Sequence, residues 1–102
     1  MRITDGIELD DEQLADLCRR HGIRRVALFG SALTGEFGAD SDIDLLVEFE
    51  ADRIPGLLGV AALELELEGL LGRRVDVRTA ADLSRHFRQT VTEQARSLYA
   101  AA

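Results

Sequence analysis

A chain of 102 residues with 46% hydrophobic and 30% charged residues has room for one hydrophobic core and is expected to fold as a single domain spanning residues 1–102. Its 12 basic residues, all arginine, stand against 19 acidic ones for a net charge of -7, which argues against a broad electrostatic footprint on nucleic acid and excludes lysine-based chemistry within these residues. No apolar run approaches the roughly 20 residues of a membrane span and no basic-then-apolar leader opens the chain, so a cytoplasmic location is expected.

Residues 1–9 alternate weakly, as a short strand or a loose arm would. From Asp10 the pattern turns helical. Asp10 can cap with Gln13 three residues on, Leu14, Leu17, Cys18 and His21 recur at helical spacing, and Gly22 is placed to end the helix. His21 then suits the negative end of the helix, and Cys18, the single cysteine, reads as a packing residue rather than a reactive thiol. Ile23 to Phe29 predicts a strand ended by Gly30 and Ser31, with at most two helical turns from Ala32 to Phe37. A second strand runs from about Ile43 to Phe49, and its apolar run implies cover on both faces or a central position.

Leu57 to Leu71 carries two periodicities. Glu64, Glu66 and Glu68 alternate with leucines as in a strand, while Val60, Leu63, Leu67, Leu70 and Leu71 keep a helical stripe. The abundance of good helix formers and the following Gly72 favour the helix, with the three glutamates as a solvated face. Arg73 to Arg78 predicts a third strand with Asp76 near its centre. Leu83, Phe87, Val91, Ala95 and Leu98 describe a helix from about Ser84 to Tyr99, with Phe87 in the core and His86 on the surface; Tyr99 suits either core or interface. Together these elements predict an α/β (α+β) layer fold, a small mixed sheet of about three to four strands flanked by helices.

The chemistry is concentrated between Leu28 and Val47. Residues two apart on a strand share a face, so Asp42 and Asp44 are expected to leave the sheet side by side, a costly arrangement without a cation. Asp76 can lie opposite them on the third strand. Three carboxylates suit Mg²⁺, which keeps waters and takes further ligands from substrate phosphates. A pair of such ions can activate an attacking oxygen and stabilise a leaving one. Gly30 and Ser31, at the mouth of the first strand, offer a phosphate close backbone approach and a hydroxyl. None of these parts is specific alone; the ordered combination is.

Gly30-Ser31, then Gly35, then Ser41-Asp42-Ile43-Asp44-Leu45, with an aspartate on a later strand, resembles the nucleotidyltransferase superfamily related to DNA polymerase beta. Phe29, the run from Leu45 to Phe49 and the run from Glu66 to Val77 extend the likeness to its minimal nucleotidyltransferases, small prokaryotic proteins often encoded beside a partner with a HEPN domain. The resemblance implies the nucleotidyltransferase fold, catalytic Mg²⁺ ions on Asp42 and Asp44, Asp76 as the third carboxylate that helps activate the attacking hydroxyl, and ATP held at Gly30 and Ser31. It also implies AMP transfer to a tyrosine of a HEPN toxin, with this chain as antitoxin in a hetero-oligomer. Its alternatives are an antitoxin that neutralises by binding alone and a nucleotidyltransferase acting on a small molecule. The family pattern places arginines where this chain has Ala32, Thr34 and Gly38. Each charged hydrogen bond lost there would weaken nucleotide binding by roughly 1–3 kcal/mol, unless Arg24, Arg25, Arg73, Arg74 or Arg78 compensates.

Overall fold

Two apolar strands form the middle of the molecule. The computed structural model describes residues 1–4, 6–35 and 37–101, apart from the side chains of residues 86, 87 and 92. The expected positions of Phe87 and His86 therefore lie outside the described residues. Strands β1 (Arg2–Thr4) and β2 (Ile7–Glu8) pair as a hairpin, so the first residues are neither a single strand nor a loose arm. Strands β3 (Ile23–Phe29), β4 (Ile43–Phe49), β5 (Val75–Arg78) and β6 (Arg96–Ala100) form a four-stranded sheet in the order β5-β4-β3-β6. β4 is antiparallel to β3 and parallel to β5, and β6 is antiparallel to β3. Helices α1 (Asp11–His21), α2 (Ser31–Thr34), α3 (Leu57–Leu71) and α4 (Arg85–Gln94) complete the mixed α/β fold that the sequence predicts.

Alternation along the strands sorts the two faces of the sheet. Val26 and Leu28, Ile43, Leu45 and Val47, and Val75 and Val77 join Leu14, Leu17 and Cys18 of α1 and Leu63, Leu67 and Leu71 of α3 in one buried core. The intervening residues Asp44, Leu46 and Asp76 are half-buried on the opposite face. β4 occupies the central position its apolar run requires.

Helix α1 follows its local signals closely. Asp10 accepts a hydrogen bond from the Gln13 amide at 3.0 Å, and Gly22 ends the helix at φ 69°, in the left-handed region. Burial pushes the Cys18 thiol up to about 12 against a smaller pull from Arg19, consistent with an inert packing role. Helix α2 is the single turn the sequence allows, beginning at Ser31 and ending at Thr34 before Gly35.

Three elements correct the sequence reading. The third strand begins at Val75, leaving Arg73 and Arg74 in the connection. The C-terminal helix stops at Gln94, and Arg96–Ala100 becomes β6, pairing with β3 from Arg25↔Ala100 to Leu28↔Arg96; satisfying the open backbone edge of β3 outweighs the helix propensity of Arg96, Leu98 and Ala100. Of the α3 glutamates, Glu66 is exposed as expected, but Glu64 and Glu68 are half-buried and not a solvated face. Glu68 accepts from the Val75 amide at 3.1 Å and Glu64 from the Val77 amide at 2.8 Å, on the side of β5 turned away from β4. Glu66 instead binds Arg20 at 2.9 Å and pairs with His21, tying α3 to α1.

Candidate active site

The parallel pairing of β4 and β5 places Asp44 and Asp76 as register partners, so their side chains stand together on the face away from the core. β3 ends beside them, and Phe29↔Asp44 is the last pair of its ladder with β4. Gly30 then turns the chain at φ 78°, ψ -150°, a combination that a side chain tolerates poorly. A Cβ added there would stand 2.3 Å from Asp44 Oδ2. Glycine at 30 is thus required twice, by the backbone and by the carboxylate against it.

A cleft of about 700 Å³ opens on this face. Phe29, Gly30, Asp44, Asp76 and Arg78 line its sheet side, Leu33 and Thr34 of α2 one wall, and Thr90, Val91 and Gln94 of α4 the opposite wall together with Leu83. Among the described residues Arg78 is the only basic side chain in this lining. Its Nε and NH2 both lie 3.1 Å from Asp76 Oδ2. Burial, followed by the charges of Asp76 and Asp42, raises the Asp44 carboxyl above its ordinary value, only partly offset by Arg78. The site carries more negative charge than its own cation neutralises.

The five residues singled out from sequence do not all converge. Gly30, Asp44 and Asp76 share the cleft. Asp42 precedes β4 and lines a neighbouring hollow with Asp40, Ser41, Arg73 and Arg74, though its charge still bears on Asp44. Ser31 opens α2 half-buried and is not in the cleft lining. Among the described residues, no three His, Cys, Asp or Glu side chains group as a ready-made metal cage. None of the positions 32, 34 and 38 supplies a cation.

Sequence reasoning left the roles of Arg78 and Arg73 open and missed the α4 wall. Arg78 is two residues beyond Asp76, a spacing that puts both on one face. The Arg73 guanidinium lies 4.4 Å over the Phe37 ring, and its NH2 is within 2.8, 3.0 and 2.7 Å of the carbonyls of Gly38, Ala39 and Ser41. It is thereby committed to the loop that leads into Asp42. Arg24 faces Glu48 at 3.5 Å, on the rim of the sheet.

Residues 11–99 match the family model described as nucleotidyltransferase domain. The chain is 43% identical over 79 residues, 78% of either chain, to the protein adenylyltransferase MntA of Thermococcus cleftensis. A solved structure described as a candidate minimal nucleotidyltransferase superposes with a TM-score of 0.69 at 48% identity, over 83% of this chain and 85% of that one. A toxin–antitoxin complex crystallised with AMP-PNP gives a TM-score of 0.71 at 24% identity, over 91% of this chain and 75% of that one. The complex of an MNT antitoxin with a tri-AMPylated HEPN toxin from Shewanella oneidensis gives 0.63 at 22%, over 89% and 70%. At those identities the last two speak to the fold alone. Among the described residues no helix is long and apolar enough to cross a membrane.

Proposed function

Because the chain belongs to the nucleotidyltransferase domain family, we propose that it transfers AMP from ATP to a tyrosine hydroxyl of a HEPN-domain toxin and acts as that toxin's antitoxin in the cytoplasm. The observation that carries this reading is the pairing of Asp44 with Asp76 on one sheet face, beside a Gly30 that cannot accept a side chain. Support for the substrate and partner comes from the relatives. MntA of Thermococcus cleftensis is named a protein adenylyltransferase, and the fold neighbours include a toxin–antitoxin complex with AMP-PNP and a tri-AMPylated HEPN toxin bound to an MNT antitoxin. Residues 1–102 act in this reading as a single nucleotidyltransferase domain, with the toxin completing the acceptor side of the cleft.

The donor set fits Mg²⁺. That ion takes one or two carboxylates and completes its shell with water and substrate phosphate, so it does not need an all-protein cage. Burial first, then the charges of Asp76 and Asp42, raises the Asp44 carboxyl, and a bound cation would offset that cost. Asp42 and Asp44 would hold the ions, with Asp76 as third ligand. When bound, they supply neutralisation of the phosphate charge and of the leaving group in a two-metal arrangement. Gly30 leaves its backbone open to the triphosphate, and Ser31, beside it at the start of α2 but outside the cleft lining, would turn its hydroxyl to the phosphate. In the transfer the tyrosine oxygen forms a bond to the α-phosphorus of ATP and its proton passes to the Asp76 carboxylate. The bond from the α-phosphorus to the bridging oxygen breaks, and pyrophosphate leaves with the electron pair.

Incubation with α-labelled ATP, Mg²⁺ and the HEPN partner tests the proposal. Label is expected on the partner, with none from an Asp42→Asn, Asp44→Asn double variant. No transfer by the unaltered chain, or equal transfer by the double variant, overturns it. A second reading, neutralisation by binding alone, is favoured by Ala32, Thr34 and Gly38, which leave the glycine-serine turn without cations. In that case the double variant would still form the complex and still neutralise the toxin.

A further inference from the structure

Among the described residues the acidic face of the cleft holds one cation of its own, and that cation is in the way. Arg78 projects from the end of β5 and points Nε and NH2 at a single oxygen of Asp76, each at 3.1 Å. Among the described residues, Arg73 and Arg74 do not line the cleft. Arg73 binds the loop carbonyls, and Arg74 lines the neighbouring hollow rather than the cleft. The Arg78 side chain is 49% exposed, so it is free to swing without disturbing the core.

We propose that Arg78 is a two-position cation: it neutralises Asp76 in the empty protein and, displaced from that carboxylate when a divalent ion is bound, turns into the cleft to hold the nucleotide's polyphosphate. This rests on the nucleotidyltransferase reading and extends it. Three features of the site carry it. Asp76 cannot accept a proton or ligate an ion freely through Oδ2 while that oxygen bears both guanidinium contacts. A guanidinium released within the cleft retains a planar fork suited to phosphate oxygens. The positions that would otherwise supply such a cation are Ala32, Thr34 and Gly38, so Arg78 fills the deficit from the sheet side of the cleft.

The arrangement predicts opposite changes in two affinities, which a purely structural role would not produce. Calorimetric titration of the full chain, first with Mg²⁺ alone and then with Mg²⁺ and ATP, is carried out on the unaltered protein, Arg78→Ala and Arg78→Lys. Removing the competing guanidinium is expected to tighten Mg²⁺ binding in Arg78→Ala by about threefold, while ATP affinity falls by about tenfold, the scale of one charged hydrogen bond. Arg78→Lys, with charge but no fork, is expected to fall between on both. Circular dichroism confirms that each variant is folded, and the Lys variant decides should the Ala variant not fold. Unaltered protein that binds Mg²⁺ and ATP, with variants whose ATP affinity is unchanged or whose Mg²⁺ affinity is no tighter, overturns the role of Arg78 alone. Unaltered protein that binds neither overturns it together with the functional reading.

Discussion

A Cβ built on Gly30 would stand 2.3 Å from Asp44 Oδ2 and 3.0 Å from its Cγ. The turn and the carboxylate thus occupy each other's space, and the position of Asp44 depends on what residue 30 lacks. Gly30→Ala is expected to lose about 1–3 kcal/mol from the backbone conformation alone, and to push the Asp44 side chain aside, lowering Mg²⁺ affinity at least tenfold. Gly35→Ala is the control. Its φ of 80° is also left-handed, but nothing lies within 4 Å of the added atom, so stability should fall by about 1–2 kcal/mol with metal binding intact. Urea melts and Mg²⁺ titrations of both variants decide it; equal behaviour would show that the contact with Asp44 has no consequence.

The Asp44 carboxyl carries a liability that can be measured. Burial first, then Asp76 and Asp42, raise it above its ordinary value. The folded protein therefore holds this proton where the unfolded chain has released it. The contribution of Asp44 to stability is full below the ordinary carboxylate value of about 4 and is lost as pH rises through the raised one. Asp44→Asn removes the liability. At pH 7, without metal, it is expected to melt about 2–4 °C above the unaltered protein, a small gain because the side chain is only half-buried and solvent still screens it. The gap should close toward pH 3. Added Mg²⁺ should raise the melting temperature of the unaltered protein and leave that of the variant in place.

The free edge of β5 is held by α3. Glu68 and Glu64 accept from the Val75 and Val77 amides at 3.1 and 2.8 Å, giving an edge strand hydrogen bonds that no neighbouring strand supplies. Glu64→Ala and Glu68→Ala are each expected to reduce stability by about 1 kcal/mol. Amide exchange at Val77 and Val75 respectively should accelerate. Glu64→Gln, whose amide oxygen still accepts, should retain most of the protection. Because Asp76 sits between the two valines, the double alanine variant should also lose Mg²⁺ affinity.

The features legible in the sequence were those fixed locally. Asp10, Gln13 and Gly22 bound their helix through contacts within a few residues, whereas the period-two rule paired Asp44 with Asp42, and it is the register of β4 with β5 that sets Asp44 beside Asp76. Arg96–Ala100 defied the same reading because its structure is decided by β3, some 70 residues upstream in register partners such as Ala27↔Ser97. Glu64 and Glu68 have the composition of a solvated face, and only the docking of α3 beside β5 reveals their acceptors. Asp42 falls just outside β4, and Thr90, Val91 and Gln94 of α4 join Leu33 and Thr34 around the cleft only in the folded chain. These are facts of tertiary placement, which spacing along a chain does not encode.

Arg73 offers a test of how Asp42 is positioned. Its NH2 gathers the carbonyls of Gly38, Ala39 and Ser41 at 2.8, 3.0 and 2.7 Å, over a Phe37 ring 4.4 Å from the guanidinium carbon. The loop closes on itself through the Gly38 amide and Ser41 Oγ at 3.0 Å, and Asp42 follows directly. Charged hydrogen bonds and a cation–π contact together suggest a loss of about 2–3 kcal/mol in Arg73→Ala. Arg73→Lys, lacking the planar fork, should recover part of it. The loosened loop should also weaken Mg²⁺ binding, by way of Asp42. A double-mutant cycle separates that route from a direct one. If Arg73 acts through Asp42, the Arg73→Ala, Asp42→Asn pair binds Mg²⁺ no worse than Asp42→Asn alone. Additive losses would mean that the guanidinium shapes the site by another path.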